Sequence, residues 1–180
     1  SQDVQGEVYD YPEEFFKERV HTIRRPKPDD FQIKEAAELI KKSKKPIIIA
    51  GGGVFYSEAT DELSAFASKH NIPVTQTVMG YSSIKKDHSH YLGTIGGLGG
   101  KAANNLSKET DTAIAIGTKL ADFTTGSWAN FENPDFKLVS INAARFDANK
   151  HMAQAIVGDA KVSLMELSQA LGSWKADDRW

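Results

Sequence analysis

Binding a phosphate-bearing ligand needs backbone amides that no side chain shields, and three stretches of this chain supply them. Gly51-Gly52-Gly53 follows a short apolar run and precedes a helical pattern. The stretch Gly93-Thr94-Ile95-Gly96-Gly97-Leu98-Gly99-Gly100 has more glycine than one turn needs, and it opens a helix through Ala102-Ala103-Asn104. Gly117-Thr118-Lys119 through Phe123-Thr124-Thr125-Gly126 adds hydroxyls and a lysine. The first stretch is not the dinucleotide fingerprint G-x-G-x-x-G, since Phe55, Tyr56 and Ser57 stand where its third glycine would fall, and no Walker lysine follows. A tight strand-to-helix turn accounts for Gly51 to Gly53 as well as a nucleotide contact does.

Other reactive constellations are missing. The chain has no cysteine, which removes disulfides, thiolate nucleophiles and cysteine-based zinc sites. His88 and His90 lie two apart in a loop, a poor spacing for joint metal ligation, and read as surface histidines. Thr125-Gly126-Ser127-Trp128 does not fit the G-x-S-x-G nucleophile elbow. Acidic residues are scattered over helix faces. No nucleophile, general base or metal ligand is assigned.

The elements that would position the glycines follow a regular rhythm. Asp30 is placed to cap a helix whose apolar face is Ile33, Ala36, Ala37 and Ile40, with lysines at its C-terminal end. Pro46-Ile47-Ile48-Ile49-Ala50 suits a strand buried on both faces. A helix from Ser57 carries Ala59, Leu63, Phe66 and Ala67 and closes at Asn71. Strands are expected over 73–77, 112–116, 137–141 and 155–157, the last followed by a helix bearing Leu164, Leu167 and Leu171. Strand–helix alternation predicts βαβ units and a parallel sheet, with ligands beyond the carboxyl ends of its strands.

Residues 1–28 read as a linker arm and 29–180 as the α/β domain. The arm holds Tyr9, Tyr11, Phe15 and Phe16, then Arg24-Arg25-Pro26-Lys27-Pro28, a run that favours extended backbone. Its aromatics are expected to pack on their own domain. The arm and the abrupt end at Trp180 imply one domain of a larger enzyme. With 180 residues, 40% hydrophobic and 26% charged, the composition is globular. A formal charge of −2 gives no basic field for nucleic acid, and no apolar run is long enough to span a bilayer. With no signal peptide either, a cytoplasmic protein is expected.

The glycine clusters, in this order, resemble the central domain of thiamine-diphosphate-dependent enzymes of the acetohydroxyacid synthase type. The pieces in register are Asp3-Val4-Gln5, Lys45-Pro46 to Val54, Ile72-Pro73-Val74 to Gly80, His90 to Gly100 with Ala103-Asn104, Gly117 to Gly126, and Val157-Gly158-Asp159-Ala160. The resemblance implies a three-layer, doubly wound (Rossmann-like), mostly parallel sheet of about six strands. Within the family, Tyr9-Asp10-Tyr11-Pro12-Glu13, Tyr56-Ser57-Glu58-Ala59 and Asp122-Phe123-Thr124-Thr125 are similar to the ring-opening hydrolases of inositol catabolism, which cleave a carbon–carbon bond of a cyclic trihydroxydione.

That resemblance implies thiamine diphosphate and magnesium, held by neighbouring pyrimidine- and diphosphate-binding domains in a homodimer or homotetramer. The family's Gly-Asp-Gly motif is absent, the only Gly-Asp being Gly158-Asp159, so the isolated domain is expected to be inactive. Some relatives hold FAD in this domain. Carried over by position, the cofactor-binding candidates are Gly51, Gly52, Gly53, Gly93, Gly96, Gly117, Lys119 and Asp159. Flavin is nonetheless not expected. The family's arginines are replaced by Lys119 and Phe123, and its adenosine-facing acids by Asn142 and Ala144; lysine lacks the arginine fork. Two other readings stay open: the central domain of an acetolactate synthase or decarboxylase, and a free-standing nucleotide-binding module.

Overall fold

A computed structural model describes residues 1–180. Six strands form one all-parallel sheet: β1 (Pro46–Ala50), β2 (Val74–Gln76), β3 (Tyr91–Thr94), β4 (Thr112–Ile116), β5 (Lys137–Asn142) and β6 (Gln154–Val157). Their order is β3-β2-β1-β4-β5-β6, so the chain reverses its direction of travel between β1 and β4. That reversal opens a crevice at the carboxyl ends of those two strands, where doubly wound folds place ligands.

The central strands are apolar because both faces are covered. Every residue of β1 and β4 is buried, and they pair in register, Ile48 opposite Ile114. The layers are unequal. Helices α2 (Asp30–Lys41), α4 (Thr60–His70) and α8 (Ala160–Leu171) pack one face in a cluster of 24 buried residues. The other face has only 8, under α5 (Lys101–Glu109) and the loops around Leu120 and Phe136. Short helices complete the chain: α1 (Gln2–Gly6), α3 (Gly52–Tyr56), α6 (Asp122–Thr125) and α7 (Arg145–Ala148).

Local chemistry sets the boundaries, and it corrects several expectations. The cap of α2 is Asp29, one residue earlier than expected; its carboxylate accepts from the Phe31 and Gln32 amides at 2.8 and 3.4 Å. The helix expected from Ser57 starts at Thr60, as α4, and a short helix that was not expected, α3, precedes Ser57. Glycine at 52 and 53 lets α3 start against the strand ends, and Glu58, at φ 52°, breaks the run before α4 starts at Thr60. Asn71 closes α4 in the left-handed region, as expected. β2 ends at Gln76, because the Thr77 hydroxyl turns to accept from the Gly80 amide at 3.0 Å. The stretch read as a glycine loop contains β3, a half-buried edge strand.

The aromatics of the arm do not pack on their own domain. Residues 1–24 are exposed, and Tyr9, Tyr11, Phe15 and Phe16 contact one another, with ring centroids 4.7–6.2 Å apart. The chain meets the domain at Arg25 and is buried at Pro28.

Candidate functional site

At the crevice between β1 and β4 the three-glycine turn and Gly117 are packed against each other. A Cβ on Gly53 would stand 2.5 Å from Gly117 Cα, and one on Gly51 would overlap the Gly117 carbonyl. Gly117 has φ +60°, so both its backbone angle and its surroundings demand glycine. The amides are largely spent on this packing. Gly51 N donates to Ile116 O at 2.8 Å and Gly53 N to Gly117 O at 2.9 Å, leaving Gly52 N as the only amide of the turn without a partner. Gly80 closes the turn from β2, where a Cβ would run into Ala50 O.

Above this contact lies a cleft of about 590 Å³, a size that suits a small ligand. Gly52, Gly53, Gly117 and Lys119 line it, with Thr77, Thr118 and Thr124 as hydroxyls and Tyr56, Val78, Met79, Ile95, Leu98 and Phe123 as the apolar part. The Lys119 ammonium is exposed and forms no ion pair. Several wall residues also face solvent: Met79 is 75% exposed, Leu98 and Phe123 69%, and Phe55 beside them 60%. Lys86 lies over the Tyr81 ring at 5.0 Å, and its interaction with Tyr81 holds its pKa above the ordinary lysine value.

The other sequence candidates lie outside the cleft. Gly51 is behind the wall. Gly96, at φ +95°, packs on Phe123 O and exchanges two hydrogen bonds with Asn104, at 2.9 and 3.0 Å. Gly93 meets open space. Asp159 is buried and both carboxylate oxygens are engaged: Oδ1 caps α8 through the Lys161 and Val162 amides, and Oδ2 pairs with Arg25 at 3.2 Å. Asn142 Nδ2 donates to Thr118 O at 3.4 Å, and its Oδ1 accepts from the Ala144 amide at 2.9 Å.

Two histidines do work that the sequence reading did not assign. His70 is fully buried; its Nδ1 lies 2.7 Å from Trp174 O and its Nε2 3.1 Å from Ser168 Oγ, tying α4 to the tail after α8. Desolvation by that burial pushes its pKa below the ordinary 6.5. Its place on the inner face could be read from the spacing Leu63, Phe66, Ala67, His70. His90 Nε2 meets Asn71 Oδ1 at 2.9 Å, and burial, then His88, lowers its pKa. No three His, Asp or Glu side chains gather as a metal site.

A profile described as the thiamine pyrophosphate enzyme central domain matches residues 33–167. The chain belongs to this family. Its curated relatives include 3D-(3,5/4)-trihydroxycyclohexane-1,2-dione hydrolases from Clostridium perfringens, 49% identical over 94% of this chain, Clostridium tetani, 48%, and Bacillus cereus, 46%. The chain spans about 27% of the length of the Clostridium perfringens protein. A solved structure from Mycobacterium smegmatis, described as that of a "putative thiamin diphosphate-dependent enzyme", shares the fold at a TM-score of 0.69 and 21% identity, over 90% of this chain and 31% of its own.

The residues present do not fit thiamine diphosphate or its metal. The only Gly-Asp carboxylate, Asp159, is committed to Arg25 and to capping, and no acidic cluster replaces it. No helix is long and apolar enough to cross a membrane.

Proposed function

We propose that this chain is the central domain of a thiamine-diphosphate-dependent hydrolase that opens the ring of 3D-trihydroxycyclohexane-1,2-dione to 5-deoxyglucuronate, and that its own role there is scaffolding. The observation carrying the reading is the 49% identity over nearly the whole chain to hydrolases of that name. Thiamine diphosphate with magnesium supplies the carbon–carbon cleavage when bound, in pyrimidine- and diphosphate-binding domains beyond these residues. The boundary at residue 28, assembly as a homodimer or homotetramer, and a cytoplasmic location belong to the same proposal.

Scaffolding is supported by the exposed rim. Phe55, Tyr56, Val78, Met79, Leu98 and Phe123 crowd one end of the sheet, and a contiguous apolar patch of this kind marks a surface that another domain covers. Burying each such side chain is worth about 1.5–3 kcal/mol, enough to orient a neighbour.

A flavin-holding domain of the acetolactate synthase type is the second reading, and the cleft itself favours it. Three features weigh against it. Lys119 and Phe123 stand where arginines would grip the ligand. Asn142 has its amide tied at both ends and offers no carboxylate to a ribose. Two of the three amides in the glycine turn are already bonded. Titrating the chain with FAD, followed by flavin fluorescence, tests the scaffold. No saturable binding is expected, and stoichiometric binding would overturn it.

A further inference from the structure

The basic-and-proline run that ends the arm is built into the domain at one place. Arg25 reaches three groups on two elements: Nη1 donates to Ser57 O and to Asp159 Oδ2 at 3.2 Å, and Nη2 pairs with Glu58 at 2.9 Å. The next residue continues the seat, Pro26 O accepting from the Asp159 amide at 2.9 Å. Lys27 pairs with Glu166 on α8 at 3.4 Å. Pro28 is buried against Gly158, where a Cβ would stand 3.0 Å from Pro28 N.

The partners of Arg25 differ sharply in exposure. Asp159 has a side chain 5% exposed, whereas Glu58 is 80% exposed and held at φ 52°. A carboxylate this deep, with one oxygen facing a guanidinium and the other capping a helix, is costly to leave unpaired. The exposed Glu58 contact is worth much less. Ser57 and Glu58 directly follow Tyr56, which lines the cleft. The seat therefore lies beside the apolar rim, and the chain before it is free of the domain.

We infer that Arg25 is a positioning residue: its buried pair with Asp159 fixes the point, next to the cleft wall, from which the segment preceding residue 25 leaves the domain. Asp159 serves this linker and α8. That the segment leads to a domain docked over the cleft rests on the proposed function; the seat itself does not.

Amide hydrogen exchange of this chain reads the seat directly, because the Asp159 amide is bonded to Pro26 O. Arg25→Ala is expected to reduce protection of that amide at least about tenfold, while Ile114 and Ala115 in β4 keep theirs. Arg25→Lys, which keeps the charge and loses the fork, is expected to fall between. Asp159 protection unchanged in Arg25→Ala overturns the inference. Should that variant fail to fold, Arg25→Lys decides: a loss of about threefold supports it and full protection contradicts it. In the full-length protein, Arg25→Ala is expected to raise the half-saturating thiamine diphosphate concentration at least about threefold with kcat retained. No change there, with the exchange effect present, rejects the coupling to a neighbour and leaves the seat. An inactive unsubstituted full-length protein instead counts against the proposed function alone.

Discussion

Gly117 and Gly93 are both glycines at positive φ, yet they answer different demands. Gly117 lies against Gly53 Cα, whereas nothing stands within 4 Å of the Cβ that Gly93 would gain. Gly117→Ala is therefore expected to cost about 3 kcal/mol or more, strain and backbone overlap together. Gly93→Ala should cost only ~1–2 kcal/mol, the conformational part alone. Urea unfolding of the two variants checks the contrast, and equal losses would contradict it. His70 adds a pH prediction. Well above 6.5 its ring is neutral in both folded and unfolded chains and contributes no slope. Below that value the unfolded chain binds the proton first, because burial lowers the folded pKa. Stability should thus fall as pH drops from 6.5 towards that lowered value. Denaturation midpoints between pH 7.5 and 5 measure this, and His70→Gln should flatten the slope. The glycine clusters were legible as residues, but their purpose was not. Sequence does not reveal that Gly51 and Gly53 meet Gly117 across the reversal point, since the contact joins residues more than sixty positions apart.

Elements with one strong period were legible, and those held by tertiary contacts were not. The apolar run of β1, the Ile33, Ala36, Ala37, Ile40 stripe of α2 and the inner face of α8 all stand where their patterns put them. β3 escaped notice because it is a half-buried edge strand with Gly93 inside it, and its register slips against β2 between Val74 and Thr75. Helix α3 escaped because glycines open it, so its existence depends on Gly53 N reaching Gly117 O. Capping gives an element-scale test. Asp29 accepts two amides at the start of α2, whereas Asp30 shows no such bond. Asp29→Ala should cost ~1 kcal/mol in urea unfolding and Asp30→Ala a few tenths, and the reverse order would contradict the cap.

At the scale of the molecule, the doubly wound sheet followed from the alternation of strands and helices, and the family from the order of the glycine clusters. The arm was misjudged, because aromatic composition says that Tyr9 to Phe16 seek a partner but not which one. In the structure they find only each other, and the apolar rim at the carboxyl end of the sheet is equally open. Both surfaces fit a chain that spans only about 27% of the length of a curated relative. The measurement that tests the central claim most directly is steady-state turnover by the full-length protein with thiamine diphosphate and magnesium, offered the cyclic trihydroxydione and pyruvate in parallel. Opening of the dione with no condensation of pyruvate is the predicted result. Acetolactate formation without ring opening would contradict it and return the cleft beside Gly52, Gly117 and Lys119 to consideration as a flavin site.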